Sequence, residues 1–270
     1  MTSLPDTLME YANGVLQATT PEAKSEAAFA AVAASAASAP MGDFLQIPPI
    51  RPKRPDSPAL VPPSAVPRRR FGSTHGRAAL LHAIAHIEFN AIDLAFDMAA
   101  RFAGEVERLE LDASAFMGDW FEVGGDEARH FGLISNRLAD LGSSYGAFPA
   151  HDGLWEAAEA TTDNLLARLA VAPLILEARG LDVTPSMANR LRGSGDPDSA
   201  EILDIIYRDE IGHVACGNRW FSRICQIHAY NPVATFHSLK ARYFAGMLKP
   251  PFNHEARDKA GLPRAYYEPN

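Results

Sequence analysis

The chain has 270 residues, of which 47% are hydrophobic, so it is long enough to bury a sizeable core. Its formal net charge is -8, which argues against a general nucleic-acid-binding protein because such proteins usually present a basic face. The two cysteines, Cys216 and Cys225, are too few for a disulfide framework or a cysteine-based metal site.

The sequence carries no recognisable targeting or membrane signal. The N-terminus lacks a basic start followed by an apolar run, so we expect no secretory signal. No apolar stretch approaches the roughly 20 residues of a membrane span. We therefore expect a soluble, cytoplasmic protein without a membrane partner.

The first segment, residues 1–39, is rich in alanine and glutamate and predicts two short helices that pack on the rest of the protein. Thr20 and Pro21 have the residue types of a helix start. Residues 40–75 follow, and nine of the 20 prolines lie between Pro40 and Pro67. This density excludes a helix and most strand pairing.

We expect residues 40–75 to form an extended arm on the protein surface, with a free linker as the alternative. The arm has apolar residues that could anchor it, namely Phe44, Leu45, Ile47, Ile50, Leu60 and Val61. It also has clustered positive charge, from Arg51, Lys53, Arg54 and Arg68–Arg70. Contact with RNA, tRNA included, is one interpretation of that charge, but solvated surface charge is favoured.

Beyond the arm, apolar residues recur at steps of three or four, which is the period of a helix. No segment alternates apolar and polar residues as a strand does. Four long helices are predicted over about residues 76–104, 113–140, 154–179 and 198–228. The fold class is therefore all-α, with a four-helix bundle over residues 76–230 and a C-terminal helical tail over 231–270, all in one globular unit.

The ends of the later helices carry local signals. Pro173 is expected to kink the third helix, and Gly180 is a plausible C-terminal stop for it. Asp198 or Ser199 is expected to cap the fourth helix.

Each predicted helix places one glutamate on its apolar stripe, and these are Glu88, Glu127, Glu177 and Glu210. Isolated carboxylates in such positions would cost several kcal/mol each unless they are paired or bound to metal. His130 and His213 each follow a stripe glutamate by three residues, which puts both side chains on one helix face.

The resulting pattern, E…ExxH…E…ExxH, offers four carboxylates and two imidazoles. Six such ligands suit two iron or manganese ions, or one of each, in the core of a bundle. Glu177 is the least secure ligand because it lies near a predicted helix end, and Glu159 is the substitute.

An aspartate immediately precedes each ExxH motif, giving DEARH and DEIGH. A ligating histidine needs an acceptor for its second ring nitrogen, which fixes the tautomer and the ring orientation. We expect Asp126 to orient His213 and Asp209 to orient His130.

Other polar residues on the helices are expected to serve packing and pairing. Tyr207 and His82 could approach the metal site, although packing is favoured for both. Asp93 and Asp97 are expected to be buried hydrogen-bond partners of an arginine or histidine on a neighbouring helix. Arg257 is expected to pair with an acid in the bundle.

Four stretches, HAIAHIEFNAIDLAFD, DEARHFGLISNRL, APLILEARGLDVTP and RDEIGHVACGNRWF, resemble a bacterial family of ferritin-like proteins of unknown function. The resemblance extends from the N-terminal helices to PFNHEARDKAGL near the C-terminus. It implies a ferritin-like di-iron carboxylate fold and no established substrate. The wider superfamily, which includes bacterial tRNA hydroxylases, ribonucleotide reductase small subunits, rubrerythrins and ferritins, is similar in ligand pattern. The ligands so implied are Glu88, Glu127, His130, Glu177, Glu210 and His213.

These expectations favour an oxidoreductase that activates dioxygen to oxidise or hydroxylate an unknown small molecule, with electrons from an external donor. A ferroxidase or iron store is an alternative, although the N-terminal region and tail would obstruct cage packing. A rubrerythrin-like peroxide reductase would usually carry a cysteine-rich domain. A protein whose metal is only structural is the remaining alternative.

Overall fold

The computed structural model of the protein describes residues 5–44, 47–66 and 70–268. Within these ranges the secondary structure is helical, and the only β-pairing is an isolated bridge between Leu60 and Ala150. The prediction of an all-α protein is confirmed. The chain divides into two compact units, Met1–Trp155 and Glu156–Asn270. The division into segments 1–39, 40–75, 76–230 and 231–270 of one globular unit was made from composition, and it stays a prediction.

The described residues of unit 1 (Met1–Trp155) form four complete α-helices and a short 3₁₀ turn. Thr20 caps the second helix by accepting a hydrogen bond from the Ala23 N–H, as its position before Pro21 predicts. The elements are α1 (Leu8–Gln17), α2 (Pro21–Ala36), the 3₁₀ turn (Pro63–Ala65), α3 (Thr74–Arg108) and α4 (Ala113–Asp140). The two predicted N-terminal helices are thus confirmed.

A short helix, α5 (Gly153–Glu159), contains the boundary between the two units. Up to Glu268, the last residue that the structure describes, the rest of unit 2 (Glu156–Asn270) has a π-helical turn at Ala172–Glu177 and six α-helices. These are α6 (Leu165–Val171), α7 (Ala178–Gly193), α8 (Pro197–Ile227), α9 (Pro232–Tyr243), α10 (His254–Lys259) and α11 (Arg264–Tyr267).

The predicted third helix, residues 154–179, is interrupted. After α5 the chain turns, and Asn164 caps α6 by accepting a hydrogen bond from the Ala167 N–H at 2.8 Å. Pro173 lies at the start of a π-helical turn, Ala172–Glu177, and the predicted kink itself stays a prediction. The predicted stop at Gly180 is wrong, because α7 continues to Gly193; the positive φ typical of a terminating glycine, +81°, is found at Gly195.

The predicted cap of the fourth helix is also wrong by two or three residues. Asp196, rather than Asp198 or Ser199, caps α8, and its carboxylate accepts hydrogen bonds from the N–H and the hydroxyl of Ser199. Pro197 then occupies the first helical position, where the missing N–H costs nothing.

Helix α3 is long and apolar enough to cross a membrane, which the sequence reading did not anticipate. Of its most apolar window, 89% is buried within the protein, as in the core helix of a soluble protein. It is the one such helix among the residues that the structure describes. A cytoplasmic location stays a prediction.

Helices α3 and α4 form an antiparallel hairpin whose register is set by aromatic packing. The rings of Phe89 and Phe131 lie 5.3 Å apart, and those of Phe96 and Phe121 lie 4.9 Å apart. Gly124 allows the close approach, since a Cβ there would lie 2.5 Å from the Phe96 ring. This register brings the middle of α3 opposite the middle of α4.

The described part of the Pro-rich arm lies on unit 1. Arg101 donates a hydrogen bond to the Pro49 carbonyl at 2.8 Å, and the Trp155 indole donates to the Ile50 carbonyl at 3.1 Å. Arg54 lies over the Trp155 ring. Backbone carbonyls and charged side chains therefore hold the arm in place.

The predicted apolar anchors of the arm are largely not used. The side chains of Ile47, Ile50 and Leu60 are exposed. Phe44 does pack closely, because a Cβ at Gly104 would lie 3.0 Å from its side chain. Leu45 lies outside the described residues, as do Arg68 and Arg69 of the basic cluster.

A buried ion pair joins α2 to α3. Lys24 and Asp93 are both fully buried and contact each other directly, and Lys24 also donates to the Val15 carbonyl at 3.0 Å. Burial raises the pKa of Asp93 to about 6, although the positive charges of Lys24 and Arg54 oppose the rise. The prediction that Asp93 is a buried partner is confirmed, with a lysine as the closest cation. Asp97 is also buried and pairs with an arginine, but that residue, Arg101, lies one turn away on α3 itself rather than on the neighbouring helix that was predicted.

We expect the substitution Lys24→Met to destabilise the protein by about 3–5 kcal/mol, because it leaves a buried carboxylate without its nearest cation. The loss should grow as pH rises, since the folded-state pKa of Asp93 lies above its unfolded value and ionisation then opposes folding. Urea unfolding at pH 5 and pH 8 measures both effects. The double variant Lys24→Met/Asp93→Leu should recover most of the stability at pH 8, and equal stability of the single and double variants would contradict the argument.

Candidate metal centre

A cluster of two carboxylates and one imidazole lies inside the α3–α4 hairpin. Glu88, Glu127 and His130 each offer a ligand atom, and these atoms lie within 4.8 Å of one another. The His130 Nδ1 is 3.2 Å from the Glu88 carboxylate and 3.6 Å from that of Glu127. The three residues are only 3%, 1% and 0% exposed, so the cluster is shielded from water.

The local helical geometry explains how these side chains meet. Glu127 and His130 are three residues apart on α4 and therefore share a face. Glu88 comes from the facing part of α3, where the Phe89–Phe131 contact fixes the register. The sequence prediction that these three stripe residues are buried is confirmed.

The charges in the cluster strongly affect one another. Burial raises the pKa of Glu88 well above its usual value, and the negative charge of Glu127 raises it further, while His130 opposes the rise. Burial lowers the pKa of His130, but its hydrogen bonds with Glu127 and Glu88 and their charges outweigh this and raise it to about 11. Without a cation, the cluster therefore retains protons.

The donor chemistry of this cluster fits a metal ion. Two carboxylates and a neutral imidazole are ligands for divalent iron, manganese or zinc. A cation would replace the retained protons and offset the cost of burying the two carboxylates. The cluster could therefore hold a metal ion.

Unit 2 also has two glutamates and one histidine on its own helical hairpin. Glu210 and His213 are buried and three residues apart on α8, with the His213 Nδ1 3.6 Å from the Glu210 carboxylate. Glu177 is half-buried at the last position of the π-helical turn. Glu159, the substitute ligand, is the last residue of α5.

The packing between α7 and α8 decides which residues of unit 2 lie opposite the α8 pair. The connection between α7 and α8 is short, so the two helices run antiparallel. Pro173 packs against Gly217, where a Cβ would lie 2.5 Å from the proline ring. Glu177 lies four residues after Pro173, and His213 lies four residues before Gly217. Because the helices run antiparallel, Glu177 and His213 are therefore level with each other.

The two aspartates that precede the ExxH motifs are both half-buried. Asp126 accepts a hydrogen bond at 3.0 Å from Arg129, one turn further along α4. Its predicted role in orienting His213, and that of Asp209 toward His130, stays a prediction.

The two residues predicted to lie near the metals have their own hydrogen bonds. The His82 Nε2 accepts from the Gly146 N–H at 3.0 Å, and the His82 ring stacks on Tyr145. The Tyr207 hydroxyl accepts from the Asn253 side chain at 3.0 Å. These contacts agree with the packing roles that the sequence favours. Arg257, as predicted, pairs with an acid, and that acid is Asp182.

The sequence reading did not identify the pairing of His86 with Tyr145. The His86 Nδ1 and the Tyr145 hydroxyl are 2.9 Å apart, and His86 is buried while Tyr145 is half-buried. Burial lowers the pKa of His82 and of His86 to about 4 and raises that of Tyr145. Tyr145 lies in a loop without helical periodicity, so no sequence pattern links it to α3.

We expect the affinity of the protein for divalent iron or manganese to increase with pH. The metal must displace protons that the cluster retains, because the pKa values of Glu88 and His130 are both raised. Fewer protons remain to be displaced at higher pH, so the equilibrium shifts toward the bound state. Calorimetric titration in buffers of different ionisation enthalpy should count at least one proton released per bound ion between pH 6 and pH 8. Binding without proton release and without pH dependence would contradict this interpretation.

Comparison with other proteins places the chain in a family. A Haemophilus influenzae relative, described as "Uncharacterized protein", is 44% identical over 208 residues, which are 77% of this chain and 72% of that protein. No solved structure matches the chain significantly. Residues 17–268 match the model of one protein family. The chain therefore belongs to the family described as "Protein of unknown function (DUF455)".

Proposed function

We propose that the protein is a di-metal carboxylate oxidoreductase that activates dioxygen to oxidise or hydroxylate a small organic molecule. The observation that carries the proposal is the buried cluster of Glu88, Glu127 and His130, a donor set that fits a metal ion. In this proposal the long helices form a ferritin-like four-helix bundle.

The second half of the proposed centre consists of Glu177, Glu210 and His213. Its support is the repetition of one arrangement: each unit has an antiparallel hairpin with a glutamate on one helix and an ExxH pair on the other. Four carboxylates carry four negative charges, which match the charge of two divalent ions. Six ligands in all would then hold two ions, with carboxylates able to bridge them.

Iron is the proposed metal, with manganese or a mixed pair as alternatives. The ligands are oxygen and nitrogen atoms, which suit these ions, whereas thiolates would favour softer metals. The π-helical turn that ends at Glu177 favours this residue over Glu159, because such turns occur frequently at functional sites.

The proposed reaction divides the chemistry between the metals and the chain. Bound iron would supply the electrons and the open coordination positions that dioxygen needs. The glutamates and histidines hold the ions, and the apolar residues around Glu88 and Glu127 keep water from the site. Electrons for further turnovers come, in this proposal, from an external donor.

A small-molecule substrate is preferred to RNA because two of the arginines on the arm, Arg51 and Arg54, are already paired with acids. Arg54 pairs with Asp152 at 2.9 Å and lies 3.8 Å from Asp93, and Arg51 also pairs with Asp152. These arginines hold the arm on unit 1 and have less charge to offer to phosphates.

We expect protein produced in iron-sufficient medium to contain about two metal equivalents per chain, since the proposal assigns six ligands to two ions. Elemental analysis measures this content. Glu127→Gln and His213→Ala should each lower occupancy sharply, because each removes a proposed ligand. Glu122→Gln, an exposed position on the same helix as Glu127, should retain full occupancy. Full metal content in both ligand variants would refute the proposed centre.

The reaction class has its own test. Anaerobic protein loaded with ferrous iron should consume dioxygen rapidly and in limited amount, in proportion to about two irons per chain. An oxygen electrode together with measurement of ferric iron follows this reaction, and Glu127→Gln should slow it at least tenfold. Continued uptake of many irons per chain would favour iron storage. Stable metal binding without oxygen consumption would mean that the metal has only a structural role, and it would reject the oxidoreductase proposal.

The role of the two aspartates gives a third expectation. Asp126→Asn and Asp209→Asn should fold normally but bind metal about 10–100-fold more weakly, because an amide orients a ligating histidine less well. Asp140→Asn, an exposed change at the end of α4, serves as the control. Unchanged affinity and oxygen reactivity in both variants would show that neither aspartate orients a ligand.

A further inference from the structure

A small cavity lies on the side of α3 away from the proposed metal ligands. Its volume is about 110 Å³, and it lies between α3 and the segment around residues 149–154. The helical residues that line it recur at steps of three or four and so form one stripe of α3. Glu88 lies roughly 150° around the helix from this stripe, at 100° per residue. The lining residues are Val66, Ala83, His86, Ile87, Asn90, Pro149, Ala150, His151 and Leu154.

Two polar atoms of this lining lack a hydrogen-bond partner in the described structure. They are the His86 Nε2 and the Asn90 Oδ1, on residues that are 6% and 1% exposed. Leaving a buried donor or acceptor unmet costs about 1–3 kcal/mol, so two on one cavity wall need an explanation.

The other polar atoms of these two side chains already form hydrogen bonds. These bonds determine whether each remaining atom needs a donor or an acceptor. The Asn90 Nδ2 donates to the His86 carbonyl at 2.6 Å, so the Asn90 Oδ1 is an acceptor that requires a donor. The His86 Nδ1 faces the Tyr145 hydroxyl at 2.9 Å. Depending on which of those two groups donates, the His86 Nε2 requires an acceptor or a donor.

We propose that this cavity is a binding site for a small neutral alcohol or amide with a compact alkyl group. A hydroxyl has one O–H and two lone pairs, so it can donate to the Asn90 Oδ1 and accept from the His86 Nε2–H when the Tyr145 hydroxyl donates to the His86 Nδ1. A primary amide has two N–H groups and can donate to both atoms when the His86 Nε2 is the acceptor. His86 and Asn90 are one helical turn apart on the same face, within reach of one ligand group.

The other lining residues indicate that the rest of the ligand is apolar and uncharged. Ile87, Leu154 and Val66 offer an apolar wall that an alkyl group contacts favourably and that water does not. None of the described residues that line the cavity is an aspartate, glutamate, lysine or arginine, so a charged ligand would lose its hydration without an opposite charge from them.

The cavity volume limits the size of the ligand. A dry cavity of about 150 Å³ accommodates benzene, which has six heavy atoms. The smaller volume here therefore fits roughly four or five heavy atoms. 2-Methylpropan-1-ol, with five, is a suitable probe.

The test is a titration of the full-length protein with 2-methylpropan-1-ol, followed by the NMR signals of the His86 ring and the Asn90 side-chain amide. Saturable shifts confined to the cavity are expected. 1-Chloro-2-methylpropane, which has the same size but no hydroxyl, should bind at least about fivefold more weakly, because it leaves Asn90 unmet.

Two variants separate binding from general effects on folding. Ala83→Leu fills the cavity and should abolish saturable binding, whereas Ala139→Leu, at an exposed position of α4, should bind as the unchanged protein does. The alcohol failing to saturate the site, or binding equally to the Ala83→Leu variant, would overturn the proposal. So would a high-resolution structure with saturating alcohol that shows only ordered water in the cavity.

This outcome is independent of the metal centre. The titration uses the metal-free chain, and none of the altered residues is a proposed ligand. Failure here would therefore leave the di-metal proposal untouched, and loss of the di-metal proposal would leave this site intact.

Discussion

The burial of Glu88 and Glu127 beside His130 is the constraint on which the site in unit 1 depends. Two carboxylates within 4.8 Å of each other and of an imidazole, in an apolar interior, repel one another and lose their hydration. Without a cation, retained protons relieve the repulsion. A divalent ion relieves it more fully, because it supplies positive charge and also directs the lone pairs of all three side chains.

Other buried acids in the chain are neutralised differently. Asp93 meets Lys24, Asp97 meets Arg101 and Asp182 meets Arg257, so each has a permanent cation from lysine or arginine. Glu88 instead meets a histidine, which can give up its proton and become a metal ligand. Acids paired with lysine or arginine therefore stabilise the fold. An acid paired with histidine can exchange the proton of its partner for a metal ion, which suits a binding site.

Much of the fold was predictable where a strong helical period coincides with packing. The predicted bounds of α4 agree with the structure, and those of α8 differ by one residue at each end, because their apolar stripes run without interruption. The third predicted helix failed because local and tertiary signals compete there. Thr161 and the buried Arg168 engage backbone carbonyls at the break after α5, a contact that joins residues ten apart and has no periodic signature. Gly180 looked like a stop, yet packing on α8 keeps the helix continuous past it.

The same contrast applies to the candidate site. The triad in unit 1 was predictable from residue type and spacing, because a glutamate and a histidine one turn apart on an apolar stripe are costly unless they share a ligand. The cavity beside His86 was not predictable, because it depends on Tyr145 and on loop residues that approach α3 only in the folded chain. The helical period in a sequence therefore predicts which residues one face of a helix must bury. A site that loop residues complete can be identified only from the folded structure.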